Sequence, residues 1–144
     1  MSHFTVEELE RSNYAVRFGI DNTIPPELLH NAAQLITSLE RVRTLLGVPV
    51  TVLSGYRCQA LNRAVGGAPN SQHMNALAAD IVAPGYGGPK AICRAIEAKR
   101  LSIAFDQLIY EGNWVHISFS DTPRYEVLAA HFKDGKAAYA KGIA

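Results

Sequence analysis

Two segments of the sequence carry side chains that could hold a metal ion. The first, residues 71–80, contains His73 and Asp80, and the second, residues 114–118, contains His116. Two imidazoles and one carboxylate would leave one coordination position open, which is what a catalytic zinc ion needs. Their spacing is not that of the helical His-Glu-x-x-His motif, so a sheet would have to bring them together. This pattern favours a metal-dependent hydrolase.

The chemistry of such a site follows from its ligand types. Two neutral imidazoles and one carboxylate would leave zinc a net positive charge, with which it can polarise a carbonyl group and lower the pKa of water. A nearby carboxylate would take up the proton of that water, and Arg57 could clamp a substrate carboxylate. Each residue also has an ordinary alternative. His73 or His116 could be a core histidine, and Asp80 could form a salt bridge with Arg57 or Arg63.

The periodicity of apolar residues predicts the helices that would support this site. The longest helix is expected over residues 25–47, opened by a proline pair and ended by a glycine. A capping box predicts a short helix over residues 5–11, and two further helices are expected over residues 59–65 and 91–100. Residues 13–22 are expected to be irregular, with their apolar side chains attaching the segment to the core.

Runs of β-branched and aromatic residues predict the strands. They cover residues 48–53, residues 78–83, and a hairpin formed by residues 105–110 and 114–119. Residues 126–131 could form a strand or a helix, and the end of the chain is expected to be peripheral. The predicted fold class is α+β, with a small, mostly antiparallel sheet, helices packed on one side and the zinc site on the sheet.

Composition narrows the class of protein. A chain of 144 residues with 48% hydrophobic and 19% charged residues is expected to form one globular domain, residues 1–144. A formal net charge of +1, with scattered basic residues, argues against binding of nucleic acid. No apolar stretch is long enough to insert into a membrane, and the acidic amino end predicts synthesis in the cytoplasm without a signal peptide. Cys58 and Cys93 are expected to be free thiols.

Several short motifs follow one another along the chain: Ser54-Gly55-Tyr56-Arg57, Leu61-Asn62, Val65-Gly66-Gly67-Ala68, Ser71-x-His73, Ala78-Ala79-Asp80 and Trp114-Val115-His116-Ile117-Ser118. Together they resemble the D-Ala-D-Ala carboxypeptidase family of zinc peptidases, which are peptidoglycan enzymes related in fold to the hedgehog signalling domain. The resemblance covers nearly the whole chain. It implies that His73, Asp80 and His116 hold one Zn²⁺ ion. It also implies that Arg57 and Ser71 bind the substrate, a peptidoglycan stem peptide.

The chain departs from the family pattern at two positions. Ala76 stands where the family usually has glycine, which would strain the backbone if φ there is positive. Asn113 stands where several relatives have an acidic residue, and an amide cannot accept the proton. Glu111 is the nearest acidic side chain on the same hairpin, so we expect it to be the general base, with Asp106 as the second choice.

Three functions remain open at this point. The first is a zinc metallopeptidase of the cell wall, either a D-Ala-D-Ala carboxypeptidase or a phage endolysin without a separate wall-binding module, acting at the cell wall or in the periplasm. The second is a non-catalytic zinc-containing binding or structural module, for example in a phage particle, which the amide of Asn113 favours. The third is a metal-free globule in which Asp80 pairs with Arg57.

Overall fold

The computed structural model describes residues 3–133 and 135–143 of the chain. The helices in these residues are α1 (Val6–Glu10), α2 (Asn13–Arg17), α3 (Leu29–Leu46), α4 (Gln59–Ala64), α5 (Pro89–Ala98) and α6 (Arg100–Ile103). The strands are β1 (Thr51–Ser54), β2 (Ala78–Val82), β3 (Gln107–Tyr110), β4 (Val115–Ser118), β5 (Glu126–Lys133) and β6 (Lys136–Lys141). In the described part of the chain, no helix has the length and apolar character needed to cross a membrane.

The long helix α3 forms where the proline pair and the glycine predicted it. A 3-10 turn over Pro26–Leu28 leads into the helix, and Gly47 ends it with φ of 71°, a left-handed conformation that suits glycine. The N–H of Gly47 donates to the carbonyl of Arg43 and so caps the last turn. The apolar stripe of the helix faces the core through Leu35 and Leu39, which are fully buried.

The six strands form one sheet in the order β1-β2-β4-β3-β5-β6. The pairs β1–β2, β2–β4, β4–β3 and β5–β6 are antiparallel, whereas β5 runs parallel to β3. The predicted α+β class is confirmed, and the sheet is mixed because the chain crosses back after β4 to place β5 beside β3. Residues 126–131, for which strand and helix were both open, therefore lie in a strand.

The two faces of the sheet have different roles because successive side chains of a strand point to opposite sides. Ile81, Leu108 and Ile117 are fully buried and belong to the core, together with Ile92 and Ile96 of α5. Helix α5 packs on β3 and β4, and α3 packs on α5. The alternate residues of β2, β3 and β4 point to the other face, on which a cleft lies.

The prediction of irregular structure over residues 13–22 was wrong for residues 13–17 and is confirmed for residues 18–22. A five-residue helix, α2, begins after Ser12, whose hydroxyl accepts a hydrogen bond from the N–H of Ala15. Ala15 is the buried residue of this helix, whereas Val16 is 83% exposed and Phe18 is 58% exposed. So short a helix presents one narrow side to the protein, and the larger apolar side chains lie on its outer side.

The carboxyl-terminal strands form an antiparallel hairpin at the edge of the sheet. Strand β6 is the outermost strand, and all six of its residues are exposed, as expected for a peripheral segment. It nevertheless contributes one side chain to the cleft, that of Tyr139. Cys58 is half-buried, Cys93 is buried, and both are free thiols, as predicted.

Candidate active site

The sheet places two members of the predicted metal site that are far apart in the sequence side by side. Strands β2 and β4 pair with Asp80 opposite His116, and the Nδ1 atom of His116 lies 3.1 Å from Oδ1 of Asp80. His73 lies in a 3-10 turn, Gln72–Asn75, just before β2, and its Nε2 atom is 3.3 Å from the same oxygen. One ligand atom from each residue lies within 4.8 Å of the others.

These separations fit a zinc ion. Bonds of about 2.0–2.1 Å to zinc, arranged tetrahedrally, place neighbouring ligand atoms about 3.3 Å apart. The distances from Asp80 Oδ1 to the two imidazole nitrogens, 3.1 Å and 3.3 Å, match that value. A set of two nitrogens and one carboxylate oxygen is also a ligand set that zinc uses in hydrolases.

A backbone contact fixes the orientation of His73. Its Nδ1 atom lies 2.6 Å from the carbonyl oxygen of Gly55, which can only accept, so Nδ1 donates and the lone pair of Nε2 faces Asp80. Burial lowers the pKa of His73, although the nearby Asp80 carboxylate opposes this, so the neutral imidazole is favoured. Gly55 has no room for a side chain, because a Cβ atom there would lie 2.7 Å from the carbonyl oxygen of Leu9.

Asp80 is held as a carboxylate. Burial alone would raise its pKa, but the hydrogen bond from His116 and the proximity of His73 outweigh burial and hold the pKa well below its usual value. The NH2 nitrogen of Arg57 also lies 3.3 Å from Oδ2 of Asp80. The predicted ion pair with Arg57 is therefore present beside the histidine contacts, and it leaves Oδ1 on the side of the two imidazoles. Arg63, the other predicted partner, is exposed on α4.

Arg57 is held rigidly at the wall of the cleft. Its Nε atom donates to Ser54 at 3.2 Å, and its NH1 atom donates to Asn62 at 3.2 Å. Asn62 is in turn fixed by a hydrogen bond to the carbonyl of Ala68. Gly67 lies so close that a Cβ atom there would be 2.7 Å from NH1 of Arg57. Each terminal nitrogen of the guanidinium carries a second N–H that these bonds do not use.

Ser71 caps the turn that carries the first histidine. Its Oγ atom accepts a hydrogen bond of 3.2 Å from the N–H of His73, and the residue also lines the cleft. The same side chain therefore shapes the ligand turn and faces the space in which a substrate would lie.

The cleft on this face has a volume of about 640 Å³. It is lined by the three predicted metal ligands together with Arg57, Ser71 and Glu111. Glu111 is half-buried, and burial raises its pKa, which suits a group that must accept and release a proton. Asn113, at the position where an acid was expected, is exposed. The structure thus brings Glu111, the predicted base, into the cleft.

Asp106, the second choice for the base, has a different environment. Its two carboxylate oxygens accept three hydrogen bonds of 2.8–3.0 Å from Arg124 and one of 2.9 Å from Gln72. The hydrogen bonds from Arg124 hold the pKa of Asp106 below its usual value, although burial opposes them. Through these hydrogen bonds Asp106 connects the ligand turn to the segment before β5. Because both of its oxygens already accept hydrogen bonds, this environment argues against a role of Asp106 as the base.

Ala76 has the strained backbone that its departure from the family pattern suggested. Its φ is 57° and its ψ is 36°, in the left-handed region, and the residue is fully buried at the end of the ligand turn. Such a conformation costs about 1–2 kcal/mol for a residue with a Cβ atom.

Among the residues that line the cleft and were not predicted as site residues are Gln72, Arg124, Leu128 and Tyr139. Gln72 adjoins His73 and could have been suspected from its position. The other three follow the hairpin, in a segment without a recognisable motif. Only the pairing of β5 with β3 brings them to the cleft.

Comparison with known proteins agrees with this site. The family model described as Peptidase M15 matches residues 2–118. The zinc D-Ala-D-Ala carboxypeptidase of Streptomyces albus G is 34% identical over 99 residues, which are 68% of this chain and 36% of that protein. The chain thus spans about a third of the length of that relative. The family, this relative and the His-Asp-His ligand set together indicate Zn²⁺ as the cofactor. By these findings the chain belongs to the peptidase M15 family.

Proposed function

We propose that this protein is a zinc-dependent peptidase that hydrolyses a peptide bond in the stem peptides of bacterial peptidoglycan. The observation that carries the proposal is the shared cleft, in which a zinc-type ligand set and a half-buried carboxyl group lie together in a peptidase M15 chain. His73, Asp80 and His116 would hold the ion. When bound, zinc supplies a Lewis acid that polarises the scissile carbonyl and makes water more acidic.

Glu111 acts as the general base of the reaction. Its carboxylate accepts a proton from the attacking water and passes that proton to the amine that leaves. Burial raises the pKa of Glu111, which makes its carboxylate a stronger base than that of an exposed glutamate. Its position on the turn between β3 and β4, in the same cleft as His116, supports this role.

Arg57 and Ser71 bind the substrate. The unused N–H groups of the Arg57 guanidinium can bind a carboxylate, such as the free end of a stem peptide. Ser71 lines the same cleft and can exchange a hydrogen bond with the peptide backbone. A carboxylate clamp favours the carboxypeptidase form of the activity, as in the Streptomyces relative, over the endolysin form. The place of action would be the cell wall.

The test is hydrolysis of defined muropeptides, with the fragments identified by mass spectrometry. The wild-type protein loaded with zinc should release fragments, and a chelator should stop the release. Glu111→Gln should retain stoichiometric zinc and lose about 10²–10⁴-fold in kcat. Glu7→Gln, at an exposed position on α1, is the matched control and should keep full activity. Rapid hydrolysis by Glu111→Gln would exclude Glu111 as the base.

The second candidate is a zinc-containing module that binds the cell wall without cutting it. The amide of Asn113, at a position where relatives carry an acid, is the observation in its favour. Stoichiometric zinc with no fragment released from any muropeptide would support this module and refute the peptidase.

A further inference from the structure

The carboxyl-terminal hairpin covers the turn that carries Glu111. The hydroxyl of Tyr139 donates a hydrogen bond of 3.3 Å to Oε2 of Glu111. On the next residue of the turn, Gly112, a Cβ atom would lie 3.5 Å from Cε2 of Phe132, so the Phe132 ring packs against the glycine. Gly112 has φ of +88°, so the turn depends on a left-handed residue at this point. Two side chains of one hairpin therefore contact two consecutive residues of the other.

The register of the hairpin explains why these contacts occur together. Leu128, Ala130 and Phe132 alternate along β5 and share one face, and Tyr139 of β6 pairs with Ala130, so it points to the same face. Leu128 and Tyr139 line the cleft. Ala130 is only 6% exposed although it lies next to the outermost strand. This face of the hairpin therefore contributes Leu128 and Tyr139 to the wall of the cleft.

We propose that Tyr139 is a positioning residue for Glu111: its hydroxyl holds Oε2, and so directs the other carboxylate oxygen towards the metal ligands. This inference rests on the proposed peptidase function. A glutamate side chain on a turn has several rotamers, and fixing one of them before the substrate arrives is a recognised source of rate. Tyr139 lies beyond residue 118, where the match to the family model ends.

The electrostatics of the pair agree with the geometry. Burial raises the pKa of Glu111, and the hydrogen bond from Tyr139 opposes that rise. Burial also raises the pKa of Tyr139, and the nearby Glu111 carboxylate raises it further, so the phenol keeps its proton and donates.

The test compares Tyr139→Phe, which removes only the hydroxyl, with Tyr86→Phe, which changes a 43% exposed tyrosine outside the cleft. Tyr139→Phe should lower kcat by about three- to tenfold, the effect of one hydrogen bond to a charged group near water. KM should stay within about twofold, and zinc stoichiometry and thermal stability should not change. Tyr86→Phe should match the wild type in all four measurements.

A second readout does not require turnover. In the zinc-loaded protein, ¹³C NMR of the glutamate carboxyl groups follows the titration of Glu111, whose signal is assigned by its absence in Glu111→Gln. Tyr139→Phe should raise the pKa of Glu111, since the hydrogen bond to the carboxylate is lost. Tyr86→Phe should leave it unchanged.

The outcomes separate the two proposals. If the wild type cleaves muropeptides and Tyr139→Phe has an unchanged kcat, the positioning role is refuted while the peptidase stands. A raised KM with unchanged kcat also refutes it, because Tyr139 would then contact the substrate. If the wild type cleaves nothing, the peptidase is refuted, and an unchanged Glu111 titration in Tyr139→Phe would refute the contact as well.

Discussion

Replacing Asp106 with asparagine should destabilise the protein and loosen the turn that carries His73. Asparagine keeps the shape of the side chain but turns one acceptor oxygen into a donor amide. Each oxygen of Asp106 accepts two hydrogen bonds: Oδ1 from the N–H and Nε of Arg124, and Oδ2 from NH2 of Arg124 and Nε2 of Gln72. In either orientation of the asparagine amide, two donors lose their acceptor.

The size of the effect follows from the exposure of the partners. Asp106 is 3% exposed, but the side chain of Arg124 is 56% exposed, so water screens its charge and can replace part of its bonds. A hydrogen bond to a charged group is worth about 1.5–3 kcal/mol when buried. After discounting for screening, we expect the loss of two bonds to lower the free energy of unfolding by about 2–3 kcal/mol. For a chain of this size this corresponds to a decrease in Tm of roughly 6–12 °C.

The pH dependence gives this prediction a distinct signature. The pKa of folded Asp106 lies below its unfolded value, so its contribution is fully present above the unfolded pKa of about 3.9. The contribution is lost as the pH falls through the folded pKa. The gap in Tm between the wild type and Asp106→Asn should therefore have its full size near pH 7 and begin to narrow below about pH 4.

The assay is thermal unfolding followed by circular dichroism between pH 3 and pH 7, with a chelator present so that zinc binding does not contribute. Asp121→Asn, at an exposed position in the same region of the chain, is the matched control and should change Tm by little at any pH. A variant within about 0.5 kcal/mol of the wild type at pH 7, or a gap that does not narrow in acid, would refute the reasoning.

Two further predictions concern the ligand turn and the metal. Ala76→Gly should change stability by less than about 1 kcal/mol, because relief of the left-handed strain is offset by the lost methyl contact and the greater freedom of the unfolded chain. Ala76→Val should lower the free energy of unfolding by about 2 kcal/mol or more. Denaturant titration measures the effect of both substitutions. His116→Ala should abolish stoichiometric zinc. A chelator should lower the Tm of the wild type by the equivalent of about 2–3 kcal/mol and leave that of His116→Ala unchanged.

The cluster of His73, Asp80 and His116 could be predicted from the sequence because polar residues in apolar strands are unusual. Asp80 lies in a run of buried residues, and an unpaired carboxylate there would be costly, so partners had to exist. The hairpin of β3 and β4 was visible in the alternation of its residues and its glycine turn, and it carried His116 and Glu111 together. These signals are local, and local signals are what a single sequence reveals best.

What the sequence could not show depends on contacts between distant segments. Leu128 and Tyr139 reach the cleft only because β5 pairs with β3 in parallel. The residues near them contain no sequence motif that predicts this pairing. A carboxylate suits the role of a base, which made Asp106 a candidate. In the structure Arg124, 18 residues further along the chain, donates hydrogen bonds to both of its oxygens. Helix α2 was missed because five residues are too few to show a helical period.

The pairing of β2 with strands on both sides limits where the chain can change length. Asp80 faces the cleft and Ile81 the core, so one residue inserted early in β2 would exchange the two and place a carboxylate among the apolar side chains under the helices. Insertions that spare the site therefore belong in connections. Residues 68–70 line the cleft outside any strand. They are where new substrate contacts could be grafted, by evolution or by design, without disturbing the metal ligands.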